Sequence, residues 1–140
     1  MRIILAVDGS PVSARAARHV VKLAASMAEP PKLTVVTVDA PMMPGVERKL
    51  GKAAVQRYHD ENAEYAFHEA CEILDKAGIA YEARPVIGDV GPSLIKAASP
   101  RRCDLLVMGS RGRGAMKSAV LGSVALKVLT GSKVPVTLVR

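Results

Sequence analysis

The amino-acid sequence predicts an α/β fold: a three-layer sandwich in which a five-stranded parallel sheet, with strand order 3-2-1-4-5, lies between two layers of helices. Five short runs rich in β-branched and aliphatic residues recur along the chain, and segments with apolar residues at helical spacing separate them. Residues typical of helix caps and turns stand at most of the boundaries. Strands that alternate with helices form βαβ units, which favour a parallel sheet covered on both faces.

The N-terminal part of the chain is predicted to contain two strands and one helix. Strand 1 is the buried run Arg2–Val7, which Asp8-Gly9 ends. Ser10 is the predicted N-cap of helix 1, and Pro11 suits the first helical position, where no N–H is needed. The helix is expected to continue to a pair of prolines, after which Lys32–Val38 forms strand 2.

The middle of the chain is predicted to form one long helix and an edge strand. After a loop, apolar residues at near-helical spacing, Leu50 and Tyr58 among them, indicate a single helix over Val46–Ala77. Gly78 is its expected stop. Strand 3 follows over residues 79–87, and Pro85 within it indicates a strand at the edge of the sheet.

The C-terminal part of the chain is predicted to contain two strands and two helices. Helix 3 begins at Gly88-Asp89 and ends at Ser99-Pro100, before the unexplained cations Arg101 and Arg102. Strand 4, helix 4 and strand 5 are expected over Leu105–Met108, Gly122–Thr130 and Val134–Val139.

The composition restricts both the class of protein and the class of partner. The 140 residues are 49% hydrophobic, which is enough for one globular domain over residues 1–140. The net charge of +7 favours anionic partners, but with 3% aromatic residues no base-stacking platform, and hence no nucleic-acid binding, is expected. Cys71 and Cys103 form no CxxC pair, and no apolar run reaches transmembrane length, so we expect a cytoplasmic protein without membrane contact.

The segment after strand 4 is the strongest candidate for a binding site. Doubly wound sheets bind ligands at the carboxyl ends of strands where the strand order reverses, so Asp8 and Gly109 are expected at one site. Gly109 and Gly112 allow positive φ and close approach to a ligand. Gly122 and Ser123 begin helix 4, whose free N–H groups and dipole favour a phosphate, and the Ser123 hydroxyl adds a donor. The cations of the same loop are Arg111, Arg113 and Lys117. We therefore predict binding of a nucleotide's phosphates; the alternative is a flexible turn before an N-capped helix.

The acidic residue at the end of strand 1 has two interpretations. Asp8 binds Mg²⁺ beside the phosphates or accepts from a ribose hydroxyl, or else it only caps helix 1; because Ser10 already serves as the cap, the ligand role is favoured. Neither a Walker A loop nor a GxGxxG fingerprint is present. Ser110 and Ser123 lack an evident His/Asp partner for hydrolysis, and His59, like the other histidines, is interpreted as a surface or packing residue.

The spacing Gly109-x2-Gly112-x9-Gly122-Ser123 resembles the nucleotide-binding signature of the universal stress protein family. The VDGS start, the TVDA segment, Gly88-Asp89, the DLLVMGSRG stretch and the VPVTLV ending extend this resemblance over the whole chain. It implies a Rossmann-like, adenine nucleotide alpha hydrolase-like sheet, with ATP across the ends of strands 1, 2 and 4. It also implies a homodimer formed through Val134–Val139.

The resemblance assigns roles to individual residues. Asp8 matches the acidic residue near the ribose and the phosphate-bound metal, and Val38 matches the residue that lines the adenine pocket. Met108 and Gly109 match the end of strand 4 beside the ribose. The phosphate-binding segment is matched by four residues: Gly112, Gly122, Ser123 and Val124. The favoured function is an ATP-binding stress-response module without catalytic residues. The alternatives are a weak ATPase or a phosphoryl or nucleotidyl transferase at the same site, or a nucleic-acid or other anion-binding protein that uses the +7 charge.

Overall fold

The computed structural model describes residues 1–114 and 121–140 and has the predicted five-stranded parallel sheet in the order β3-β2-β1-β4-β5. The elements, in chain order, are β1 (Arg2–Ala6), α1 (Pro11–Ala25), β2 (Lys32–Asp39), α2 (Pro44–Leu50), α3 (Lys52–Lys76), β3 (Tyr81–Ile87), α4 (Val90–Ala97), β4 (Leu105–Gly109), α5 (Ser123–Gly131) and β5 (Val136–Val139). The predicted fold class is confirmed.

Two apolar layers cover the sheet, one on each face. Helices α1 and α3 share one core with alternate strand residues, including Leu5 and Val35. Helices α4 and α5 share the second core with the intervening residues, including Ile4 and Val36. Because side chains alternate along a strand, the residue that follows each strand continues the same alternation and faces one layer or the other. This alternation decides which side chains at the strand ends face a given cleft.

The predicted long helix over Val46–Ala77 is wrong in one respect, because the segment forms two helices. Gly51 separates α2 from α3 with φ 79° and ψ 157°, a conformation that only glycine adopts readily. Helix α2 contains no buried residue and packs chiefly on α3. Leu50, at the end of α2, is therefore 50% exposed. Tyr58 lies on α3 and is 45% exposed, so neither of these apolar residues faces the core.

Other boundaries differ from the predictions by a few residues. Helix α1 ends at Ala25, before the prolines, because the Ser26 hydroxyl donates to the Leu23 carbonyl at 2.7 Å and competes with the helical pattern. Gly78, at φ 67°, stops α3 as expected. Strand β3 is an edge strand, as Pro85 predicted, although it begins only at Tyr81.

The cationic turn before β4 has a structural role that the sequence did not reveal. The Arg2 guanidinium donates to the carbonyl oxygens of Pro100, at 3.1 Å, and Arg101. It also forms an ion pair with Asp104 at 2.6 Å. This contact joins the start of β1, the central strand, to the start of its neighbour β4. Hydrogen bonds from Arg2 hold the pKa of the Asp104 carboxyl at about 2.

The Arg2–Asp104 pair predicts a specific acid dependence of stability. Because the folded-state pKa of Asp104 is depressed, its contribution is present above the unfolded value of about 3.9 and is lost as the pH falls toward about 2. We expect Asp104→Asn to lower the melting temperature at pH 7, and the two melting temperatures to converge near pH 2. Calorimetry from pH 7 to 2 measures this difference, with Glu29→Gln as the control for net charge. A difference that stays constant through this range would contradict the prediction.

Candidate functional site

A cleft of about 670 Å³ opens at the carboxyl ends of β1, β2 and β4, on the side of α4 and α5. All nine residues predicted for the site line it: Asp8, Val38, Met108, Gly109, Arg111, Gly112, Gly122, Ser123 and Val124. Residues from the two ends of the chain therefore meet here, as the strand order predicted. What each residue binds stays a prediction.

The part of the cleft beside β2 is apolar. Val36 and Val38 contribute side chains from β2, and Met108 contributes one from β4. Val90 and Leu94 of α4 form the facing wall. An apolar slot between a sheet and a helix suits a flat ring system, because burial of that ring removes apolar surface from water.

The opposite part of the cleft is formed by main chain at the start of α5. Gly122 is the N-cap of this nine-residue helix, and no side chain caps it within the described part of the chain. The Gly122 N–H donates to the Ser110 carbonyl at 2.8 Å. The next three N–H groups, of Ser123, Val124 and Ala125, are those that a helix leaves without an internal partner, and all three residues line the cleft. This end therefore suits an anion.

Gly109 and Gly112 are required because neighbouring atoms of the protein lie too close to leave room for a side chain, not because their main chain has a positive φ. Neither Gly109 nor Gly112 uses the positive φ that glycine allows. A Cβ at Gly109 would lie 3.0 Å from Cγ1 of Val12 and 3.2 Å from the Arg111 carbonyl oxygen. A Cβ at Gly112 would lie 2.7 Å from Oδ2 of Asp8. These glycines let the loop pass directly over the end of β1.

The Asp8 carboxylate holds residues 109–114, which we call the glycine loop, against the end of β1. Its Oδ1 accepts from the Ser10 N–H at 3.0 Å, and its Oδ2 accepts from the Arg113 N–H at 3.1 Å. Ser10 caps α1 separately, since its hydroxyl accepts from the Ser13 N–H at 3.2 Å. Each carboxylate oxygen retains a further lone pair for a ligand. The loop cation Lys117 lies outside the described residues.

A partly buried polar cluster around Asp39, at the end of β2, was missed by the sequence interpretation. Oδ2 of Asp39 accepts from Nδ2 of Asn62 at 2.9 Å and lies 2.7 Å from Nδ1 of His59, which is 5% exposed. Burial alone raises the pKa of Asp39, but the hydrogen bonds from Asn62 and His59 outweigh it and hold the pKa below its usual value. His59 and Asn62 stand three residues apart on α3, which is a signal of a shared helix face. No local pattern connects that face to Asp39.

The family model for the universal stress protein family matches residues 1–140. The chain belongs to this family. A universal stress protein of Thermus aquaticus is 34% identical over 139 residues, which cover 99% of this chain and 97% of that protein. A universal stress protein solved in complex with cAMP is 30% identical, with a TM-score of 0.73 and coverage of 100% and 97%. UspA of Lactobacillus plantarum, at 18% identity and a TM-score of 0.82, with coverage of 100% and 97%, shares the fold.

No helix among residues 1–114 and 121–140 combines the length and the apolarity that a membrane span requires.

Proposed function

We propose that this member of the family binds an adenine nucleotide, with ATP as the preferred ligand, and acts as a regulatory binding module. The observation that supports this most strongly is the pairing of an apolar slot with a main-chain anion site in one cleft. The base fits the slot beside Val38, and the phosphates fit the start of α5 beside Gly122 and Ser123. The relative solved with cAMP carries an adenine nucleotide and is 30% identical to this chain.

The direct test is to identify the ligand that the protein carries. Freshly purified protein is denatured, and the released small molecules are analysed by mass spectrometry. We expect an adenine nucleotide at a substantial fraction of one equivalent. Calorimetric titration of the stripped protein with ATP, ADP, AMP and cAMP then ranks the affinities. Absence of binding to all four nucleotides would overturn the proposal. Steady multiple-turnover release of ADP would show that the protein is an enzyme and not only a binding module.

Asp8 is the residue that would hold Mg²⁺ beside the phosphates. Asp8 lines the cleft, and Mg²⁺ in nucleotide sites is held by one or two carboxylates together with phosphate oxygens and water. The bound metal would neutralise phosphate charge. The chain supplies the carboxylate and orients it through the N–H groups of Ser10 and Arg113.

The metal role of Asp8 predicts a measurable coupling between Mg²⁺ and ATP. We expect Mg²⁺ to raise the ATP affinity of the wild-type protein about tenfold and that of Asp8→Asn by less than about twofold, a difference near 1 kcal/mol. Calorimetry with and without EDTA measures both ratios. A purely structural role of Asp8 would lower both affinities and leave the ratios equal.

We also propose that the protein forms a homodimer through residues 134–139. Strand β5 is at one edge of the sheet, and its side chains are half-buried. An apolar edge strand with free main-chain groups is stabilised by pairing with a second copy. Light scattering on a sizing column gives the mass directly, and a monomeric mass at micromolar concentration would contradict the assembly.

A further inference from the structure

The glycine loop makes a contact outside the cleft as well as inside it. The main-chain N–H of Arg113 donates to Asp8, while the Arg113 guanidinium lies over the ring of Tyr65, 5.3 Å from its centroid. Tyr65 is on α3 and does not line the cleft. A cation over a tyrosine face is attracted by the ring quadrupole, so the contact is favourable even though the ring is 58% exposed.

The ring of Tyr65 is itself held against the end of β1. Gly9 has φ 77°, and a Cβ on Gly9 would lie 2.6 Å from Cε1 and 3.1 Å from the carbonyl oxygen of Tyr65. The ring therefore lies against the bare main chain of Gly9. The residues just before it on α3, His59 and Asn62, hold Asp39 at the end of β2. Helix α3 thus contacts the ends of β1 and β2, two of the three strands whose ends form the cleft.

We propose that Tyr65 is a positioning residue for nucleotide binding. Its ring fixes Arg113, and through the Arg113 N–H it fixes Gly112 against Asp8 before a ligand arrives. A loop that is ordered in advance loses less conformational entropy when it closes on phosphates, so the affinity is higher. This inference rests on the proposed function and adds a residue to it that touches no ligand.

The test is a double-mutant cycle between the ring and the cation. We expect Tyr65→Leu and Arg113→Gln each to lower ATP affinity about three- to fivefold, and the double variant to lower it no more than the larger single change. Tyr65→Phe keeps the ring face and restores affinity to within about twofold of the wild type. His68→Leu, which removes an exposed ring one turn further along α3, is the matched control and leaves the affinity unchanged.

Each contrary result identifies what has failed. Additive losses in the double variant, or a loss in Tyr65→Phe equal to that in Tyr65→Leu, would overturn the positioning role while the wild type still binds ATP. A wild-type protein that binds no nucleotide would overturn the proposed function and this inference together. Arg113→Gln changes an exposed loop residue, so it reports on the contact even if Tyr65→Leu fails to fold.

Discussion

Gly122→Val is expected to abolish ATP binding while the protein stays folded. A Cβ at Gly122 would lie 3.4 Å from Cα of Arg111 and 3.5 Å from the Ser110 carbonyl oxygen, which are ordinary contacts. Its φ of −73° and ψ of 154° suit any residue. The fold therefore tolerates a side chain, but branched methyl groups at the start of α5 would obstruct close approach of a phosphate to the main chain. We expect a loss of affinity of about 100-fold or more, near 2.8 kcal/mol.

The measurement is ATP titration by calorimetry, with melting temperature as the test of folding. Gly45→Val is the matched control, because a Cβ there meets no other atom within 4 Å and Gly45 lies on α2, away from the cleft. Gly122→Ala should give an intermediate loss. A folded Gly122→Val protein with unchanged ATP affinity would refute the main-chain phosphate site.

Arg111→Ala should weaken ATP binding less than Gly122→Val does. Its side chain is partly exposed, and salt screens such a charge, whereas the N–H groups of α5 are fixed in direction. Equal losses at Arg111 and Gly122 would indicate that charge, rather than main-chain geometry, determines affinity.

Gly9→Ala is expected to cause a large loss of stability beside the site. An alanine at φ 77° is strained, and its Cβ would lie 2.6 Å from the Tyr65 ring and 3.1 Å from the Tyr65 carbonyl oxygen. The strain and the overpacking together should lower the free energy of unfolding by about 2–4 kcal/mol. Chemical denaturation measures this directly.

Gly78→Ala separates the two causes of that loss. Gly78 has a similar φ of 67°, but a Cβ there meets no other atom within 4 Å. Its alanine variant should therefore lose only the conformational part, about 1–2 kcal/mol. If Gly9→Ala and Gly78→Ala lower the free energy of unfolding by the same amount, the contact between Gly9 and Tyr65 does not contribute to stability and does not hold α3 against the end of β1.

Local signals predicted most of the fold. Apolar runs identified the five strands, and Ser10 with Pro11 identified the start of α1. Local signals fail where two of them compete, as at Gly51, where helical periodicity favours one long helix and the glycine favours a break. Helical periodicity continues through that residue, but its left-handed main chain breaks the helix. The exposure of Leu50 follows from where α2 then packs, and periodicity within one segment does not report that.

For this protein, the amino-acid sequence alone predicted the order of the strands and nine of the residues that meet around the cleft, three of them, Val38, Met108 and Val124, through the family resemblance. Strand ends and helix starts depend on a few neighbouring residues, so they can be read locally. Only the tertiary structure decided which contacts those residues make. The Arg113 N–H reaches Asp8 across 105 positions, His59 pairs with Asp39, and the Tyr65 ring lies between Gly9 and Arg113. The contacts of His59 and Tyr65 depend on how α3 is placed behind the sheet, and the contact of Arg113 with Asp8 depends on the path of the chain after β4. Both are set by packing of the whole domain.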